Sequence, residues 1–112
     1  MKMGEIIKIL SLKEVTTGNA KLDEDVATAY VSDLLSDVIA NAKKGCLWIT
    51  LQCHPNIVAV GAMKEVAGII IVNGKQPDGE TIKKAKEEGI PIFTTEKNAF
   101  TVAGLLYHAG LR

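Results

Sequence analysis

The chain has 112 residues, and its 13 Lys plus Arg exactly offset its 13 Asp plus Glu, giving a formal net charge of zero. That balance excludes a nucleic-acid binder working through a general basic field, which needs clustered excess cations. At 47% hydrophobic but only 4% aromatic residues, the chain has material for one core of Ile, Val, Leu and Ala, as suits compact β/α layers.

Ile6, Ile7 and Leu10 at helical spacing predict a short helix over 3–10, and 12–17 reads as an edge strand. Thr17-Gly18-Asn19 is turn chemistry and 21–25 a polar surface loop. Residues 26–31 read as extended, with Ser32-Asp33 capping a helix that carries Leu34, Leu35, Val38, Ile39 and Ala42 on one stripe and stops at Lys43-Lys44-Gly45. The stretch 46–51 is apolar on both faces, as an interior strand should be. A helix over 56–66 follows, with Pro55 in its first turn, and 68–72 is a second buried strand. Residues 78–88 form a charged helix with Ile82 and Ala85 inward and Gly89 as its stop. Ile90 to Phe93 is a short strand, and Thr94-Thr95 caps a last helix with Ala99, Val102, Ala103 and Leu106 on one face. Repeated β-then-α units joined by right-handed crossovers predict an α/β fold. It is a single three-layer-like domain over 1–112 with a short, mainly parallel sheet flanked by helices.

No apolar run reaches the roughly 18 to 20 residues of a membrane helix, and Met1 to Glu5 has no signal-peptide core, so a cytoplasmic protein with no membrane or nucleic-acid partner is expected. Cys46 and Cys53 fall at opposite ends of one predicted strand, some 23 Å apart, and are expected as free thiols. Gly68 and Gly74-Lys75 do not make a phosphate loop: the spacing is one residue too long, and Gln76 stands where the magnesium-binding hydroxyl belongs. Neighbouring Cys53 and His54 lack the further ligands or base that a metal centre or an activated thiolate needs, although a helix N-terminus there would favour thiolate. The reading is a protein without catalytic residues, metal or cofactor.

The polar residues instead gather where strands end and helices begin, the usual ligand crevice of parallel sheets. This rim holds Ser32, Asp33, Gln52, His54, Asn56, Asn73, Gly74, Thr94 and Thr95, beside backbone N–H groups that favour anions. Each has a plainer role as a cap or turn residue, with Asn73-Gly74 reading as a positive-φ turn. The 56–66 helix is free of charge from Ile57 to Met63, which implies cover on both sides. Either the N-terminal helix or a second subunit would supply it, and a homodimer through Ile57, Val60, Gly61 and Met63 is the favoured reading.

The runs Ala29 to Val38, Leu47 to Thr50, Gly68 to Gly74 followed by Pro77-Asp78, and Gly89 to Ile92 with Thr94-Thr95 together resemble the DRTGG domain. The resemblance spans the chain from about Ile6 to Leu111. It is a family of regulatory modules attached to CBS-domain proteins and phosphate acetyltransferases, similar to the N-terminal domain of HPr kinase/phosphorylase. Where the family's Asp-Arg pair belongs this chain has Cys53-His54, and where Thr-Gly-Gly belongs it has Val72-Asn73-Gly74. The resemblance implies a non-catalytic, self-associating regulatory or sensory module, with a larger regulated enzyme or CBS-domain protein as partner. The polar rim adds the expectation of a small anionic metabolite or nucleotide as ligand, the alternative being a structural dimerisation or scaffold module without ligand.

Overall fold

The computed structural model describes residues 1–112. Ten elements follow one another: α1 (Met3–Leu10), β1 (Lys13–Glu14), β2 (Ala29–Val31), α2 (Leu35–Asn41), β3 (Leu47–Thr50), α3 (Asn56–Lys64), β4 (Gly68–Ile71), α4 (Gly79–Glu88), β5 (Ile92–Thr94) and α5 (Ala99–His108). The strands form one sheet in the order β1-β5-β4-β3-β2. Pairing is parallel from β2 to β5, while β1 runs antiparallel along β5, with Lys13 opposite Thr94.

Successive strand residues point to opposite faces, so β3 and β4, buried throughout, feed two cores. Leu47, Ile49, Ile70 and Phe93 face α1 and α5, where Met3, Ile6, Leu10, Val102 and Leu106 meet them. Trp48, Ile69, Ile71 and Ile92 face α2, α3 and α4, meeting Val38, Ile57, Val60 and Ala85. The result is three layers, as the β-then-α repetition predicts.

The segment after β1 is tied down by side chains. Fully buried Thr16 extends the β1–β5 ladder: its Oγ1 accepts from Ile92 N at 3.1 Å, next to the bond from Val15 N to Ile92 O at 2.9 Å. The same hydroxyl donates to Glu14 Oε2 at 2.8 Å, and that oxygen also accepts from Asn19 N and Ala20 N, both at 3.0 Å.

Several expectations are corrected. The N-terminal strand shrinks to Lys13–Glu14, and 26–31 is extended only from Ala29. Ser32 and Asp33 precede α2 without capping it in the usual way, for the N-cap is Leu34 and makes no side-chain bond. That helix ends at Asn41, short of Lys43-Lys44-Gly45, and leaves Leu34 and Ile39 exposed. Thr94 and Thr95 are buried at the end of β5, and Asn98 caps α5 by accepting from Thr101 N at 2.9 Å. On α4 the fully buried pair is Thr81 and Ala85, with Ile82 only half-buried. Gly89 does end that helix, in the left-handed region at φ 72°.

Helix α3, free of charge from Ile57 to Met63, lies between α2 and α4, and the N-terminal helix packs on the opposite face of the sheet. Ile57, Val60 and Gly61 are therefore buried in the chain's own core, while Met63 stays exposed. Two sister helices remove the need for a subunit over that surface, and three of the four residues expected at a subunit contact are not accessible to one.

Candidate functional site

At the carboxyl edge of the sheet, β2, β3, β4 and β5 hand over to loops that are braced by their polar residues. Ser32 O accepts from Trp48 Nε1 at 2.8 Å and Ser32 Oγ from Leu34 N at 3.2 Å. Asp33 Oδ1 accepts from Thr50 Oγ1 at 2.9 Å and Leu51 N at 2.7 Å, and Gln52 Nε2 returns a bond to Asp33 O at 2.9 Å. The loops after β2 and β3 are thus tied to each other.

The next two loops are locked by backbone bonds, from Asn73 N to Lys97 O and from Gly74 N to Thr95 O, both 2.9 Å. This needs two successive left-handed residues, Asn73 at φ 62° and Gly74 at φ 67°, which Asn and Gly tolerate best. A Cβ at position 74 would also run into the Glu96 carboxylate.

The nine residues expected at the rim do not converge on one cavity. Asp33 and Asn73 line a hollow of about 290 Å³ with Val31, Thr50, Leu51, Val72, Asn98, Ala99 and Phe100. His54 and Asn56 lie instead in a groove of about 440 Å³ between α3 and α4, against Lys84, Glu87 and Glu88. There His54 Nδ1 accepts from Asn56 N at 3.1 Å, so the histidine occupies the helix N–H that an anion would use. Thr94 and Thr95 border a separate polar cleft with Ser11, Lys13, Gln76 and Lys97. Ser32, Gln52 and Gly74 brace loops.

Eight of the hollow's ten residues lie outside the expected rim: Val31, Ile49, Thr50, Leu51, Val72, Asn98, Ala99 and Phe100. Phe100 is 87% exposed, and the sequence signal for it is its place off the stripe of Val102 and Leu106. Asn98, three residues before Thr101, has the spacing of an N-cap. Since its Oδ1 satisfies Thr101 N, the N–H groups of Ala99 and Phe100 are left as the open donors of the first turn, at the positive end of the helix dipole.

The surroundings of Cys53 disfavour its thiolate despite the neighbouring helix N-terminus. Burial pushes the Cys53 thiol up, the Asp78 carboxylate adds to the rise, and Lys75 opposes it. Both cysteines are free thiols. At the edge of the site, hydrogen bonds from Ser32, then Tyr30 and Asn41, hold the Asp37 carboxyl below its usual range. The bond to Asp37 in turn raises Tyr30.

A family model described as the DRTGG domain matches residues 5–109. Among solved structures, the fold is similar to the CBS and DRTGG domains of the regulatory region of Clostridium perfringens pyrophosphatase, a crystal structure complexed with the activator diadenosine tetraphosphate. The TM-score is 0.73 at 22% identity, over 94% of this chain and 45% of that one. No curated protein matches. No helix is long and apolar enough to cross a membrane.

Proposed function

This chain belongs to the DRTGG domain family, and from that premise we propose that it is a non-catalytic regulatory module of the cytoplasm whose rim hollow binds a nucleotide. Occupancy is passed to a regulated enzyme or CBS-domain protein. The observation that carries this reading is the hollow itself, where the exposed ring of Phe100 stands beside the amides of Asn73 and Asn98 and the carboxylate of Asp33. An exposed aromatic face offers a base a stacking platform, and the side chains around it accept from and donate to base edges. The two open N–H groups at the start of α5 suit a phosphate.

At about 290 Å³ the hollow sits at the small end of ligand pockets, enough for one base with its phosphates directed outward. Support also comes from the similar regulatory region, complexed with a dinucleotide activator. The reading rests on the hollow and not on His54 and Asn56, which lie in the separate groove between α3 and α4.

The test is isothermal titration with AMP, GMP, ATP, diadenosine tetraphosphate and inorganic phosphate. A nucleotide should bind saturably, and Phe100→Ala should weaken it about tenfold or more, since a stacked base contributes ~1–3 kcal/mol. Binding of none of these nucleotides at millimolar concentration, or binding untouched by Phe100→Ala, overturns the reading.

A further inference from the structure

The polar cleft bordered by Thr94 and Thr95 is a site of its own. It measures about 340 Å³, shares no residue with the rim hollow and has only polar residues on its walls. Distant parts of the chain assemble it. Lys13 on β1 stands opposite Thr94 on β5, so their side chains share one face of the sheet. Ser11 is the left-handed residue that ends α1, and Gln76 comes from the loop between β4 and α4.

Several of its hydrogen-bonding groups are left over after folding. Thr94 is only 5% exposed, yet its hydroxyl has no partner in the chain. Because no fully buried side-chain oxygen goes unpaired anywhere in the molecule, this hydroxyl opens onto the cleft it lines. The Thr95 hydroxyl accepts from Lys97 N at 3.2 Å and keeps its proton free to donate. Lys97 Nζ is held by a 3.3 Å bond to Leu10 O at the end of α1, with two N–H groups to spare. The ion pairs of the chain are Lys2–Asp25 and Lys44–Glu65, so both cations of the cleft, Lys13 and Lys97, lack a carboxylate partner. The one carboxylate on the wall, Glu96, lies instead against Gly74.

We propose that this cleft binds a small phosphorylated sugar or polyol. Its phosphate takes the ammonium groups of Lys13 and Lys97 together with the Thr94 hydroxyl, since a dianion is held best by several charge-assisted donors. Glu96 and Gln76 then accept from the ligand's own hydroxyl groups. A bare phosphate ion brings no such donors and leaves Glu96 facing only like charge, which makes it the poorer fit. The walls offer no apolar surface on which a base could stack or an alkyl chain be buried, which separates this ligand from the one proposed for the hollow. The inference does not rest on the nucleotide reading.

Isothermal titration with ribose 5-phosphate, inorganic phosphate and ribose tests it. Ribose 5-phosphate should bind saturably, at least about fivefold more tightly than phosphate through its added hydroxyl contacts, and ribose alone should give no binding heat. Thr94→Val keeps the shape of the side chain, and the hydroxyl it removes has no partner in the chain, so the fold should stand. Affinity should nevertheless fall about tenfold, the loss of one hydrogen bond to a charged group. Lys13→Gln, at an exposed position, should weaken binding and flatten its dependence on salt. Phe100→Ala should leave binding unchanged, which keeps failure here distinct from failure of nucleotide binding at the hollow. The proposal is overturned by no saturable binding of ribose 5-phosphate at millimolar concentration or by equal affinity for inorganic phosphate. Binding lost with Phe100→Ala, or untouched by both Thr94→Val and Lys13→Gln, overturns it as well.

Discussion

Replacing Thr16 separates hydrogen bonding from packing. Thr16→Val keeps the shape of the side chain and removes only the hydroxyl, so Ile92 N loses its 3.1 Å acceptor inside a strand buried at every position. An orphaned buried donor costs about 1–3 kcal/mol, and Glu14 loses one of three donors as well, so about 2 kcal/mol is expected. With an unfolding entropy of about 2.1 cal/mol/K per residue, Tm falls by roughly 4 °C per kcal/mol, hence by about 8 °C. In urea, an m-value of about 1.5 kcal/mol/M translates this into a midpoint lower by about 1.3 M. Thr16→Ser retains the hydroxyl and loses one buried methyl, a cost of only about 1 kcal/mol. The expected order in urea titrations followed by circular dichroism is wild type, then Ser, then Val. If packing alone governed the site the two variants would exchange places, and a Val variant more stable than the Ser variant refutes the reasoning.

Because Asp37 is held below the usual carboxylate range in the folded chain, its contribution to stability is present above the unfolded-state pKa and is lost as pH falls through the lower folded value. Tyr30→Phe removes one of the hydrogen bonds responsible, so the Asp37 carboxyl resonance should titrate at higher pH and acid unfolding should begin earlier; an unchanged titration contradicts the assignment. For Cys53, whose thiol is raised by burial and then by Asp78, iodoacetamide at pH 8 should react more slowly than with free glutathione. Asp78→Asn should speed the reaction, and a Cys53 faster than glutathione would show an activated thiolate after all.

Local chemistry was legible wherever one residue type has few alternatives. Asn73-Gly74 reads as a left-handed turn and Gly89 as a helix stop because a side chain with Cβ resists that backbone, and both stand so in the fold. Apolar runs at Leu47 to Thr50 and Gly68 to Ile71 could hardly be anything but buried strands. Short polar residues were ambiguous: Ser32 and Asp33 have the chemistry of caps, but in place they brace the ends of β3, a contact between residues 17 apart for Asp33 and Thr50. The antiparallel direction of β1 and the position of α3 between α2 and α4 are long-range outcomes with no local signature. The absence of charge from Ile57 to Met63 reads as burial, and α2 and α4 bury Ile57, Val60 and Gly61 within the chain. Polar side chains do not mark out the hollow, whose most exposed apolar residue is Phe100.

The backbone bonds from Asn73 to Lys97 and from Gly74 to Thr95 bear on how a message leaves the rim. They join the end of β4 to the approach of α5, so the floor of the hollow and the first turn of that helix behave as one rigid piece. A ligand seated there has little slack to take up by swinging a loop. What it can alter is the freedom of α5 itself, whose far side touches α1. Under the proposed function, occupancy of the hollow would register as a change in stiffness along α5 and its neighbour, measurable in the amide exchange rates of α5 and α1 with little change in their positions.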